Sequence, residues 1–162
     1  MNWDKTTDII LITSIASLTV FAILGLCQWI KRKSIKKVDK ELIFMLIPII
    51  LMVIVYFIFD KFLIWNTRPD GSGEPSFPST HVMIVTTIFL LIALVLPCYI
   101  KSKAACVLLD LMMLIFIVLT CVGRVLANKH WTSDVIGALI FSVIFALIYY
   151  LTAIRRRKKK NA

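Results

Sequence analysis

Both histidines of the chain, His81 and His130, lie in polar segments that interrupt long apolar runs. Three such segments carry residues able to do chemistry. The first, "KFLIWNTRP", sets Lys61 six residues before Arg68-Pro69. The second, "FPSTH", runs Pro78-Ser79-Thr80-His81 straight into an apolar stretch. The third, "GRVLANKHWTSD", carries Arg124, then Lys129 and His130, then Asp134. Each has an ordinary structural reading. A lysine at the end of a span snorkels, Ser79 or Thr80 caps a helix, and Asp134 ahead of an apolar run caps another. Together they say more. Cations suit an anion of phosphate type, and two histidines suit a nucleophile and a general acid. Free N–H groups in a helix first turn behind Ser79 would attract the same anion. His130 and Asp134 are four apart, so on a helix they share a face with Cβ atoms about 5–6 Å apart. An Asp on one ring nitrogen sets the tautomer and leaves the other nitrogen as nucleophile or base. The carboxylates are not clustered into a metal cage. The expected chemistry is phosphate transfer with no metal and no cofactor.

The elements that must position these groups follow from composition. The chain has 162 residues, 60% hydrophobic and 17% charged, too little polar surface to cover a soluble globule. A bilayer core about 30 Å thick needs about 20 apolar helical residues. Five runs qualify: 9–30, 42–59, 82–100, 104–122 and 135–154. In lipid the backbone must satisfy its own hydrogen bonds, so each reads as a helix. The expected fold is all-α: an integral-membrane bundle of about five transmembrane helices, one domain over 1–162. Pro48 is placed to kink the second span, and Gly25 and Gly137 to allow close helix packing. The first run is too long, and its flank too acidic, for a cleavable signal peptide.

Orientation follows from the basic residues. Of nineteen Lys and Arg, fourteen fall at one set of alternate ends: Lys31 to Lys40, Lys101, Lys103 and Arg155 to Lys160. Lys5, Lys61, Arg68, Arg124 and Lys129 make up the other set. The N-terminus and both histidines should face outside and the C-terminus the cytoplasm. Trp3, Trp65 and Trp131 flank spans on the outer side, and Trp29 on the inner. The net charge of +10 sits in short clusters rather than on one face, which argues against nucleic acid. The basic tail 155–162 reads as a topology anchor with affinity for anionic lipid. The four cysteines lie in or beside apolar runs at no metal-ligand spacing, and read as small apolar residues.

In order and spacing, the three segments resemble the tripartite signature of the type 2 phosphatidic acid phosphatase superfamily. That signature is Lys, six residues, Arg-Pro; then Pro-Ser-Gly-His; then Ser-Arg, five residues, His, three residues, Asp. The resemblance covers Lys61 to Asp134. It implies His130 as a nucleophile forming a phosphohistidine, Asp134 as its orienting partner, and His81 as the acid that protonates the leaving group. It implies Lys61, Arg68, Ser79, Thr80 and Arg124 as phosphate-binding residues. Thr80 stands where the family has Gly, and Gly123 where it has Ser. The chain also shows five spans where many members have six. The resemblance implies a metal-independent lipid phosphatase of a bacterial cell membrane, its site facing outside. Undecaprenyl diphosphate is the leading substrate, with phosphatidylglycerol phosphate or phosphatidate as the alternative. The competing class is a non-catalytic anionic-lipid binding or transport protein. The concentration of polar residues at one end favours surface chemistry, since Asp110 alone lies well inside a run. Residues 70–76, with Gly71 and Gly73, are the candidate headgroup lid.

Overall fold

The computed structural model describes residues 2–157. Their helices are α1 (Trp3–Arg32), α2 (Lys40–Phe44), α3 (Leu46–Phe57), α4 (Thr80–Val95), α5 (Lys103–Leu126) and α6 (Thr132–Tyr149). Among the described residues there is no strand, only an isolated bridge between Thr67 and Pro75. Among the described residues, five helical segments are long and apolar enough to cross a membrane: Trp3–Arg32, Lys40–Phe62, Thr80–Cys98, Lys103–Leu126 and Thr132–Arg157. Four enclose the runs expected from sequence. The third stops short of the expected 100, because Pro97 turns the chain into a 3-10 turn at Leu96–Cys98. Of the tail 155–162, residues 158–162 lie outside those described.

Local sequence explains the element ends. Asn2 caps α1 by accepting from Lys5 N–H at 3.3 Å, and Ser102 caps α5 by accepting from Ala105 N–H at 3.3 Å. The second span breaks at Met45, between α2 and α3. Pro48 has no N–H to offer the Phe44 carbonyl, so the helix restarts with Pro48 in its first turn. The expected kink is thus a break three residues upstream of the proline. π-helical turns at Ile58–Phe62 and Tyr150–Ile154 continue the second and last spans.

The bundle is built around α4. Val82, Met83, Val85, Leu91 and Val95 are fully buried, which is the state of a helix apolar on every face. Val85, Ile88, Phe89 and Ile92 pack with Ile10 of α1 and with Cys106 and Met113 of α5. Val82 and Met83 pack with Met52 of α3 and with Val135, Ala138 and Phe145 of α6. Polar residues join the same helices. Thr87 donates to Ser142 Oγ at 3.1 Å, and Ser142 donates to the Ala138 carbonyl at 2.8 Å and the Met83 carbonyl at 3.2 Å. The outward faces carry large apolar side chains such as Ile9, Val20, Ile50, Leu108, Ile140 and Val143. Lipid is the solvent that suits them, and the chain is a multi-pass membrane protein. Asp110 is exposed on α5 and makes no ion pair among the described residues, so neither Lys101 nor Lys103 takes it.

Gly137 is a close approach and Gly25 is not. A Cβ at 137 would lie 2.3 Å from the Phe77 ring, whereas at 25 the nearest atom, Leu42 Cδ1, is 3.7 Å away. Gly137→Ala should therefore cost about 1–3 kcal/mol as an overpacking change. Gly25→Ala should leave stability nearly unchanged. Thermal melting of both variants in detergent micelles checks the contrast.

Candidate active site

The starts of α1 and α4, the end of α5 and the connections on either side contribute to one cluster. His130 lies in the connection between α5 and α6, just before α6 begins, so it does not share a helical face with Asp134 as the spacing suggests. Its Nδ1 lies 2.9 Å from the Ser76 carbonyl oxygen, a bond that requires a proton on Nδ1 and leaves Nε2 with a free lone pair. Asp134 Oδ2 lies 3.7 Å from the same Nδ1, beyond hydrogen-bond length. The carboxylate instead accepts the Trp131 N–H at 2.9 Å and closes the cap of α6. The expected orienting role of Asp134 is thus taken over by a backbone carbonyl, with the buried carboxylate as a nearby negative charge.

Ser76 belongs to the segment that reads from sequence as a flexible lid, and the structure shows a pinned turn. Arg68 N–H donates to the Glu74 carbonyl at 3.0 Å, and Ser76 N–H to the Asn66 carbonyl at 2.9 Å. Arg68 Nη1 meets Glu74 Oε2 at 2.7 Å, and Lys129 Nζ meets Asp70 Oδ2 at 3.0 Å. Gly71 and Gly73 take φ of 78° and 75°, so their freedom serves turn geometry rather than hinge motion. The Ser72 hydroxyl and N–H, then Lys129, hold the Asp70 carboxyl well below the usual carboxylate range.

Ser79 is the N-cap residue of α4, without a side-chain cap bond. Its N–H donates to the Asp134 carbonyl at 3.1 Å, which ties the start of α4 to the start of α6. That N–H is therefore unavailable to a ligand. The amides of the first turn, starting at Thr80, keep the N-terminal partial charge. His81 follows on that turn.

Arg124 is buried in the last turn of α5, and its partners come from α1. Arg124 Nη1 donates to Asp4 Oδ1 at 2.7 Å and to Thr7 Oγ1 at 3.4 Å. Asp8, one turn on, places Oδ1 2.9 Å from His81 Nε2. In sequence these acids register only as an acidic flank, although their spacing of four puts both on one face of α1. Gly123 is what admits α1: a Cβ there would lie 2.6 Å from Thr7 Cγ2 and 3.3 Å from the Trp3 ring. The departure from Ser at this position makes room for the helix that carries the acids.

The structure thus brings together His81, His130, Asp134, Arg68, Ser79 and Arg124. It does not bring in Lys61, whose side chain is 65% exposed and paired with Asp60 at 2.8 Å. Thr80 lines a small cleft with Asp60, Tyr56 and Ser76, beside the cluster. Burial first, then the charges of Arg124, Arg68 and His81, pushes His130 down to about 3 against the pull of the Ser76 carbonyl. A neutral imidazole beside two guanidinium groups can attack an electrophilic phosphorus, and the guanidinium groups can take up charge on its oxygens.

Two histidines and two arginines thus gather at one end of a helical membrane bundle. Residues 56–158 match the sequence model of the PAP2 superfamily, and the chain belongs to that superfamily. In fold it is similar to the crystal structure of a transmembrane PAP2-type phosphatidylglycerolphosphate phosphatase from Bacillus subtilis. That likeness has a TM-score of 0.68 at 20% identity, over 96% of this chain and 76% of the other. No curated protein matches the chain by sequence.

His130 has a consequence for stability. Its folded pKa lies below the ordinary 6.5, so the unfolded chain binds the proton more tightly. The stability this leaves at neutral pH is lost as pH falls from about 6.5 towards 3. In that window the wild type should lose on the order of 1 kcal/mol per pH unit more than His130→Asn. Melting temperatures of the two proteins measured across that range check the difference.

Proposed function

We propose that the protein is a lipid phosphatase that works through a phosphohistidine. The observation that carries this reading is a set of buried polar atoms without a protein partner: Arg68 Nε, Arg124 Nε and Ser79 Oγ. A buried donor left unpaired costs about 1–3 kcal/mol, and phosphoryl oxygens would satisfy all three. Carboxylates from α1 sit on Arg124 and His81 in the structure, and substrate oxygens would replace them.

In the first step His130 Nε2 attacks phosphorus and the bond to the lipid oxygen breaks. His81 gives its proton to that oxygen, releasing the dephosphorylated lipid. The Ser76 carbonyl, with Asp134 behind it, supports the positive charge on the His130 ring. In the second step water attacks phosphorus, the P–N bond breaks, and His81 recovers a proton from the water. Arg68 and Arg124 hold the oxygens through both steps. Lys61 would join only by leaving Asp60. No metal enters the scheme, because cations of the chain carry the oxyanion charge.

The charge balance bears on the substrate. Lys61, Arg68, Arg124 and Lys129 each already face one acid, at 2.8, 2.7, 2.7 and 3.0 Å. Little positive charge is left over for a second phosphate. This favours a phosphomonoester lipid of the phosphatidylglycerol phosphate or phosphatidate kind. The fold neighbour's description as a phosphatidylglycerolphosphate phosphatase points the same way. Undecaprenyl diphosphate is the second reading, supported by the placement of the histidines at the end poor in basic residues. By that same asymmetry the site faces the outside of a bacterial cell membrane, with the C-terminus in the cytoplasm.

Phosphate release from mixed micelles of each lipid, with chelator present, tests the proposal. Turnover should persist in chelator and be highest for the monoesters. It should vanish in His130→Ala and fall about 10²–10⁴-fold in His81→Ala. Turnover that survives loss of His130, or that chelator abolishes, sinks the mechanism. A faster diphosphate reverses the substrate order alone. A C-terminal topology reporter should read cytoplasmic; an external signal would put the site on the other face.

A further inference from the structure

The end of the bundle opposite the histidines holds a second concentration of charge, and this one surrounds a cavity. The space, about 430 Å³, is lined by Lys36, by residues 38–41 and Phe44, and by Thr152, Ala153, Arg156 and Arg157 near the end of the last span. That volume falls in the range of small-molecule sites. Its lining combines apolar Val38 and Phe44 with basic Lys36, Lys40 and Arg156.

The acids in the lining are already engaged. Asp39 accepts Gln28 Nε2 at 2.8 Å, Arg32 Nη1 at 2.9 Å and the Tyr99 hydroxyl at 3.1 Å. Glu41 faces Arg157 at 3.3 Å. Lys36, Lys40 and Arg156 make no ion pair among the described residues. Three uncompensated cations therefore converge on one cavity, an arrangement that suits an anion of phosphate type. Basic residues that only orient a chain in a membrane need no cavity between them. Lys31, Lys33 and Lys37 are of that kind, for none of them lines this space.

A neighbouring feature points to the source of the anion. Tyr99, whose hydroxyl binds Asp39 in the cavity wall, also lines an apolar groove of about 560 Å³ with Val20, Phe21 and Leu24 of α1. A charged cavity and an apolar groove thus meet at the Tyr99–Asp39 contact. A membrane lipid has a part for each, whereas a soluble phosphate would use only the first.

We infer that this cavity binds the phosphate group of an anionic membrane lipid, with an acyl chain in the groove beside Tyr99. The site is separate from the histidine cluster and does not rest on the phosphatase reading. Full-length protein in phosphatidylcholine nanodiscs, with and without phosphatidylserine, provides the test, because phosphatidylserine carries no phosphomonoester to be hydrolysed. Phosphatidylserine should raise the melting temperature of the wild type by several degrees. The triple variant Lys36→Gln, Lys40→Gln, Arg156→Gln should lose at least half of that rise, and Arg156→Gln alone a smaller part. The charge-matched control Lys31→Gln, Lys33→Gln, Lys37→Gln should keep most of it. Should the triple variant not fold, Arg156→Gln against the control decides alone. Equal losses in cavity and control variants would overturn the proposal in favour of diffuse surface charge. An equal rise with inorganic phosphate in phosphatidylcholine nanodiscs would overturn it in favour of a soluble anion.

Discussion

The hydrogen bond between His130 Nδ1 and the Ser76 carbonyl, at 2.9 Å, joins two connections that lie 54 residues apart. The loop between α3 and α4 could otherwise take many shapes. Because its carbonyl must meet a buried ring, the turn around Gly71 and Gly73, the Arg68–Glu74 pair and the Lys129–Asp70 pair all have a fixed surface to close against. The same bond sets the tautomer of His130 and aims its Nε2 lone pair away from the loop. A backbone carbonyl suits this task inside a membrane protein. It brings no net charge into a place where charge is costly to bury, and it cannot be titrated away.

Electrostatic pairing around that bond is nearly complete. Arg68, Arg124 and Lys129 each have an acid within 3.0 Å, and His81 has Asp8. Two of those acids come from the first two turns of α1, which approaches only because residue 123 has no side chain. One missing Cβ thus lets a helix remote in sequence supply charge to the site. The opposite end differs, since its acids are consumed while Lys36, Lys40 and Arg156 have no acid partner among the described residues. One end is balanced around two histidines, and the other keeps a surplus of positive charge.

Much of this was legible beforehand. The five spans follow from the length of the apolar runs, since a bilayer leaves the backbone few alternatives to a helix. The signature residues Arg68, Ser79, His81, Arg124, His130 and Asp134 were named with the end of the bundle that holds them, because span alternation puts them on one side. Their partners were not legible. Hydrogen bonds to a carbonyl leave no trace in residue type, so Ser76 looked like loop and Asp134 looked like the partner of His130. The family resemblance implies Lys61 as a phosphate ligand, but a π-helical turn at Ile58–Phe62 and the adjacent Asp60 hold it at the exposed edge.

By itself, then, the sequence determined the helical membrane bundle, the polar and basic side chains at its histidine end and the fact that they gather there. Those depend on hydrophobic length and on order along the chain, both local quantities. The tertiary structure decided which atom holds the His130 proton, which acids face Arg124 and His81, and that basic residues at the other end line a cavity. Those depend on distances of a few tenths of an ångström between segments far apart in the chain, and only packing sets such distances.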